Sequence, residues 1–139
     1  MTQIVDSAEN MEAAGASLIR SISAPSVIFL RGNLGAGKTT FVRGALRALG
    51  YQGLVKSPTF TLVETYTFEK FSVHHFDLYR ISDPEELDFI GVREYNNDDT
   101  ICFIEWPDMG LRMLPKANIE VSIEYLDAHR EITMTDHRA

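Results

Sequence analysis

The chain has 139 residues, of which 45% are hydrophobic and 24% charged, and these values indicate one ordinary globular domain and not a disordered, collagen-like or coiled-coil protein. Its longest apolar runs, at 27–30 and 101–104, are far shorter than the roughly 20 residues that a membrane-spanning helix needs, and no basic signal region opens the sequence, so we expect a cytoplasmic protein without membrane contact. The formal net charge is −7, which argues against a broad basic face for nucleic acid and leaves room for a single local anion site.

Acidic residues and one cysteine add two expectations. The segment 83–99 is the densest acidic stretch, and it is either a solvated surface or a docking face for a basic protein partner. Cys102 is the single cysteine, so no disulfide can form within the chain. Because it lies inside a strand-like apolar run, we expect it to be a buried small hydrophobe.

The first predicted elements are a short strand at 3–5 and a helix. Asp6 and Ser7 are good N-cap residues, and the apolar residues that follow recur at helical spacing. The pattern predicts that this helix ends near Ile22.

The next elements are a strand, a glycine-rich loop and a second helix. Residues 26–30 form a continuous β-rich apolar run, typical of a strand buried on both faces of a parallel sheet. The helical pattern that follows begins at about Lys38, and Gly50 stands where a C′ residue would end it.

A hairpin and a short helix are predicted in the middle of the chain. Residues 61–68 and 73–78 have strand character and are joined by a short turn at 69–71. Ser82, followed by a proline and acidic residues, is the predicted N-cap of a helix that runs to about Phe89.

The remaining strands complete a mixed α/β pattern. Residues 101–104 are a second candidate for a buried central strand, and 119–125 with 130–134 indicate a terminal hairpin around 126–129. No repeat, linker or low-complexity tract divides the chain, so we expect one domain over residues 1–139.

The most informative segment, residues 32–40, reads Gly-Asn-Leu-Gly-Ala-Gly-Lys-Thr-Thr and satisfies the pattern G-x-x-x-x-G-K-[ST]. Glycines let successive backbone N–H groups point at a phosphate, and the following helix adds its positive N-terminal end. Lys38 would reach the β- and γ-phosphates, and the Thr39 hydroxyl would ligate Mg²⁺. We expect nucleotide contacts from Asn33, Leu34, Gly35, Ala36, Gly37, Lys38, Thr39 and Thr40.

Two carboxylates compete for the metal near this loop. Glu105 ends the apolar run 101–104, whereas Asp77 ends a more polar hairpin strand. An acidic residue at the end of a buried strand beside the loop strand is the usual arrangement. The spacing therefore favours Glu105 for the metal and Asp77 for positioning water.

Other polar residues are open to two interpretations. His74 and His75 are adjacent, so they face opposite sides of a strand and suit separate hydrogen bonds better than one metal. Trp106 either packs or contacts ligand at the sheet edge. The segment 57–61 is either an ordinary proline turn or a nucleotide-sensing switch loop, whose hydroxyls are those of Ser57, Thr59 and Thr61. The absence of a guanine-reading Asn/Thr-Lys-x-Asp segment favours adenine.

The segments 32–40, 57–60, 75–80 and the pair Glu105-Trp106, in this order, resemble the TsaE family, small bacterial ATPases of the machinery that makes threonylcarbamoyladenosine in tRNA. The resemblance covers nearly the whole chain. It implies a single P-loop NTPase-type domain with a mixed, mainly parallel central sheet, helices on both faces and β-hairpins. It also implies ATP and Mg²⁺ as cofactors and the transferase subunits TsaB and TsaD as partners, with tRNA reached only through them.

The resemblance also implies residue roles. Lys38, Thr39 and Thr40 would bind phosphates and Mg²⁺, Glu105 would be a metal ligand, Asp77 a catalytic or water-orienting acid, Trp106 a functional neighbour, and 57–61 a switch loop. Weak hydrolysis alone, stimulated on the transferase, would reset that complex between cycles. A small-molecule kinase with Asp77 as base, and a binding module that responds to ATP occupancy alone, are the alternatives.

Overall fold

A single sheet of seven strands organises the chain in a computed structural model that describes residues 2–33 and 35–138. The strands are β1 (Thr2–Val5), β2 (Ser26–Arg31), β3 (Val63–Thr67), β4 (Ser72–Asp77), β5 (Thr100–Glu105), β6 (Ile119–Leu126) and β7 (His129–Asp136). The helices are α1 (Ala8–Arg20), α2 (Lys38–Ala48) and the short α3 (Glu86–Ile90). Across the sheet the order is β1-β7-β6-β2-β5-β4-β3.

The centre of the sheet is parallel and its two margins are antiparallel. Strand β2 lies between β6 and β5, and β5 lies beside β4, all in parallel pairs. The pairs β1–β7, β6–β7 and β3–β4 are antiparallel. The predicted mixed α/β sheet is confirmed, but its parallel character is restricted to the four central strands.

Helices cover both faces of the sheet, as predicted. On one face, α1 and α2 pack against inward side chains of the central strands, among them Ile28, Phe103 and Val121. On the opposite face, α3 contributes Leu87 to a second core with residues such as Phe29. The apolar sequence of β2 follows from this burial on both faces.

The helices α1 and α2 approach each other through two glycines. A Cβ added at Gly15 would lie 1.9 Å from the backbone oxygen of Phe41, and one added at Gly44 would lie 2.0 Å from that of Glu12. Carbon and oxygen atoms in weak hydrogen-bond contact are normally about 3.3–3.6 Å apart. The two backbones therefore touch at a distance that only glycine permits.

Several predicted boundaries differ from the structure. The first helix ends at Arg20 instead of near Ile22, and Ser21 is its C-cap residue. The strand predicted from residue 61 begins at Val63, because Leu62 has a φ of 70° and donates its N–H to Pro58.

The predicted N-cap of the third helix is wrong. Ser82 was expected at that position, but the helix begins at Glu86 with Glu85 as its N-cap. Asp83 forms the preceding turn, because its side chain accepts the N–H of Glu85 and its carbonyl accepts that of Glu86.

Three further expectations concern the surface and the core. Cys102 is buried, as predicted, and burial raises the pKa of its thiol to about 11. Within the described ranges, no helix combines the length and the apolar character needed to cross a membrane. His74 and His75 lie on opposite faces of β4, as expected: His74 contacts the ring of Tyr95 in the second core, whereas His75 faces Glu105.

Candidate functional site

The glycine-rich loop joins β2 to α2, and Gly37 makes the turn into the helix. Its φ of 112° is left-handed, and it supplies no side-chain cap for α2. A Cβ added there would lie 3.0 Å from Cε of Met11. No capping side chain therefore accepts a hydrogen bond from the first backbone N–H groups of α2. These groups are left available to an anion at the N-terminus of the helix.

Lys38 is folded back into the protein and is only 5% exposed. Its Nζ donates to the carbonyl oxygen of Gly32 at 2.6 Å and lies 3.4 Å from Oε1 of Glu105. The ammonium group also sits 4.3 Å from the ring centre of Trp106. Burial lowers the pKa of Lys38, and the neighbouring carboxylate of Glu105 offsets this only in part.

Glu105 and Asp77 end adjacent parallel strands and are Cα partners in the register of β4 and β5. Both side chains are almost fully buried. Oε2 of Glu105 lies 2.5 Å from Nε2 of His75. Burial opposes ionisation of Glu105, but the hydrogen bond and charge of His75, together with Lys38, hold its pKa below the ordinary value. The two candidate carboxylates therefore lie side by side, with Glu105 ionised beside the lysine.

Asp77 connects the sheet to the segment predicted as a switch loop. Its Oδ2 accepts a hydrogen bond from the Thr59 hydroxyl at 2.9 Å, and its Oδ1 accepts the backbone N–H of Tyr79 at 2.9 Å. The hydroxyls of Ser57 and Thr59 are 2.8 Å apart. The position of Asp77 is thus tied to the conformation of this loop.

These groups surround one cavity of about 330 Å³. It lies over the carboxyl ends of the central parallel strands, where open α/β sheets bind ligands. The residues that line it are Ser7, Ala8, Met11, Gly35, Gly37, Lys38, Thr39, Thr40, Ser57, Thr59, Asp77, Glu105 and Arg130. Most of the residues predicted from the sequence therefore come together here.

Some predicted contact residues lie off the cavity wall. Among the described residues, Asn33, Ala36, Trp106 and Thr61 do not line it, although Trp106 contacts Lys38. The Ala36 side chain is buried, so only the backbone of this residue could face a ligand. Leu34, also predicted as a contact, lies outside the described residues.

Two parts of the cavity wall were not predicted. Arg130, on β7, donates from Nη2 to the carbonyl oxygen of Gly35 at 3.1 Å, and its guanidinium lies 4.8 Å from the ring centre of Tyr125. Ser7 and Ala8 bring the N-terminal end of α1 to the same cavity. The N-cap character of Ser7 was visible in the sequence, but nothing there indicated which loop it would approach.

The donor set fits Mg²⁺. The cavity presents the carboxylates of Asp77 and Glu105 and the hydroxyl of Thr39, and oxygen is the ligand that this ion prefers. Within the described residues, no group of three or more His, Cys, Asp or Glu side chains could hold a metal.

Comparisons with known proteins add family information to this geometry. A family model described as "Threonylcarbamoyl adenosine biosynthesis protein TsaE" matches residues 5–132. The chain is 54% identical over 108 residues to the tRNA threonylcarbamoyladenosine biosynthesis protein TsaE of Haemophilus influenzae, covering 78% of this chain and 68% of the relative. It is 36% identical over 129 residues to the protein of the same name from Treponema pallidum, covering 92% and 95% of the two chains.

A solved structure has the same overall architecture. The crystal structure titled Bacillus subtilus YdiB superposes with a TM-score of 0.83 at 28% sequence identity, over 99% of this chain and 86% of that one. The similarity therefore extends across the whole sheet and both helical layers, and includes the elements that form the cavity.

Proposed function

Because the chain belongs to the TsaE family of threonylcarbamoyl adenosine biosynthesis proteins, we propose that it is a P-loop NTPase-type domain that binds Mg²⁺-ATP and hydrolyses it in support of tRNA modification. One observation carries the proposal: a glycine-rich loop, a buried lysine and two carboxylates from adjacent parallel strands meet in one cavity at the N-terminus of α2. This arrangement combines anion binding with the oxygen ligands that a phosphate-bridging cation needs.

The phosphates take over contacts that the protein now makes with itself. Lys38 is held by the Gly32 carbonyl and stands at 3.4 Å from Glu105, beyond the usual 2.7–3.2 Å for a hydrogen bond. A γ-phosphate in the cavity offers the ammonium group a stronger, charge-assisted acceptor than a neutral carbonyl. The uncapped N–H groups at the start of α2 bind the same phosphates.

The acidic residues divide two tasks. Glu105 and the Thr39 hydroxyl hold Mg²⁺, which when bound neutralises charge on the β- and γ-phosphates. Asp77 accepts a hydrogen bond from the attacking water and orients it toward the γ-phosphorus. The Thr59 hydroxyl donates a hydrogen bond to the Asp77 carboxylate. A change in the conformation of the loop at 57–61 when nucleotide binds therefore changes the orientation of this carboxylate.

In hydrolysis the water oxygen bonds to the γ-phosphorus while the bond from that phosphorus to the β–γ bridging oxygen breaks, which yields ADP, inorganic phosphate and a proton released to solvent. The loop N–H groups and Lys38 stabilise the charge on the transferring phosphoryl group. We propose that turnover is slow in the isolated protein and faster on a transferase formed by TsaB and TsaD, where hydrolysis resets that complex between cycles. The protein reaches tRNA through those partners.

Steady-state ATPase rates with and without purified TsaB, TsaD and tRNA test the proposal. Lys38→Ala should lower turnover by about 10²–10³-fold, the usual cost of losing one donor to a developing anion. Lys116→Ala is the matched control, because Lys116 is exposed and does not line the cavity. Wild-type protein that releases no phosphate under any of these conditions, or Lys38→Ala protein that keeps its rate, contradicts the proposal.

The Asp77→Asn variant separates hydrolysis from nucleotide binding. It should bind ATP and lose phosphate release, and threonylcarbamoyladenosine formation should stop after the first cycle. Continued modification without phosphate release would indicate a binding module, and phosphate found on a small acceptor would indicate a kinase.

A further inference from the structure

We propose that His75 is a positioning residue that holds Glu105 in the orientation needed for metal binding. This role rests on the proposed Mg²⁺-ATP site and extends it to His75, which does not line the cavity. His75 is completely buried in β4, two residues before Asp77. Side chains two apart on a strand share a face, so His75 lies on the same side of the sheet as the two carboxylates.

Among the described residues, the imidazole ring of His75 makes one hydrogen bond. Its Nε2 donates to Oε2 of Glu105 at 2.5 Å, since a carboxylate oxygen can only accept. The other ring nitrogen, Nδ1, is buried and has no hydrogen-bond partner among the described residues. The register partner of His75 is Phe103, and the preceding residue on the same face is Val73, so an apolar side chain would suit this position. Burying an imidazole here costs free energy that an apolar side chain would not cost. The hydrogen bond to Glu105 is therefore the feature that favours histidine at this position.

The contact assigns one oxygen of Glu105 to each neighbour. His75 holds Oε2, while Oε1 faces Nζ of Lys38 at 3.4 Å. Without the histidine, the carboxylate is free to rotate and close fully on the lysine. Both groups would then be engaged with each other, and neither would be ready for its ligand.

The expected size of the effect follows from other metal sites. Partners that hydrogen-bond to ligating carboxylates and imidazoles typically contribute 10–100-fold to metal affinity or activity when they are removed. We therefore expect His75→Leu to weaken divalent-metal binding by about this factor. Affinity for ADP without metal should change by less than about threefold, because His75 does not line the cavity.

The test measures Mn²⁺ binding to the ADP complex by electron paramagnetic resonance, with His75→Leu, His75→Gln and wild-type protein. A glutamine amide nitrogen can replace Nε2 as a donor to Glu105, so His75→Gln should keep Mn²⁺ affinity close to the wild-type value. Equal Mn²⁺ affinity in His75→Leu and wild type overturns the positioning role. Equal losses in both variants also overturn it, because they would indicate a packing role that does not depend on the donor.

A second measurement needs no substitution at His75 and covers the case in which His75→Leu does not fold. In protein labelled with ¹⁵N-histidine, the Nε2 resonance of His75 should shift when Mg²⁺ is added to the ADP complex, and Glu105→Ala should abolish the shift. A resonance that ignores Mg²⁺ overturns the proposal. Wild-type protein that binds neither ADP nor Mn²⁺ refutes the proposed function itself, whereas normal wild-type binding with an insensitive His75 refutes only this inference.

Discussion

Substituting Gly15 with alanine should destabilise the protein although alanine is the better helix former. The new Cβ would lie 1.9 Å from the backbone oxygen of Phe41, so α1 and α2 must separate by more than 1 Å to restore an ordinary contact. Overpacking typically costs about 1–3 kcal/mol, and a backbone oxygen cannot rotate away, which places the cost near the upper end. The higher helix propensity of alanine offsets about 1 kcal/mol of this cost, so the free energy of unfolding should fall by about 2 kcal/mol.

Urea denaturation followed by circular dichroism measures this loss directly, and the melting temperature should fall by about 8 °C for a domain of this size. Gly44→Ala should behave alike, and the double variant should lose less than the sum, because one separation of the helices relieves both contacts. Gly53→Ala is the control, because there the nearest atoms belong to a side chain, that of Tyr51, and not to the backbone. A Gly15→Ala protein as stable as the wild type would refute the close-contact reasoning.

Three further results are expected. Burial raises the pKa of Cys102 to about 11 from an ordinary 9.0, so the unfolded state loses the proton first as pH rises. Between pH 9 and 11 the free energy of unfolding should fall by about 2 kcal/mol more in wild type than in Cys102→Ala, as urea titrations at each pH would show. Asn118→Ala should lower the free energy of unfolding by about 1–3 kcal/mol, because Oδ1 of Asn118 accepts the N–H of Val27 at 2.7 Å. Asn118→Asp keeps that acceptor and is the control. Equal melting temperatures in wild type and the alanine variant would contradict this prediction. In the proposed mechanism, Thr59→Val should reduce ATPase turnover about tenfold through loss of its hydrogen bond to Asp77, whereas Thr59→Ser should retain most of the turnover. Unchanged turnover in the valine variant would show that the loop at 57–61 does not act in the proposed hydrolysis.

Local sequence patterns were sufficient to predict the glycine-rich loop and its flanking elements. The apolar run of β2, the glycines and the start of α2 at Lys38 were each visible within a few residues. The terminal hairpin was also predicted, because alternation and a short turn are local properties. Both carboxylates were predicted to lie near the loop as competing candidates for the metal, but their pairing on adjacent parallel strands was not predicted.

What could not be predicted depends on contacts between distant segments. Periodicity does not encode strand order, so the placement of Arg130 against the glycine-rich loop had no signal in the sequence. His75 was read as one of two ordinary strand histidines, since its partner Glu105 lies 30 positions away. The left-handed turn at Leu62 was missed because leucine rarely adopts a positive φ.

The pairing of β1 with β7 has a consequence for the order of events during protein synthesis. Thr2 is paired with Thr133, so β1 cannot pair with its neighbour β7 until nearly the entire chain has been translated. The same late segment carries Arg130 to the glycine-rich loop. A nascent chain released only as far as β5 already holds the loop, the lysine and both carboxylates, yet the wall formed by Arg130 is missing and β1 has nothing to anchor it. The cavity wall is therefore complete only once the final hairpin has been translated, and a ribosome stalled before it would present an incomplete cavity.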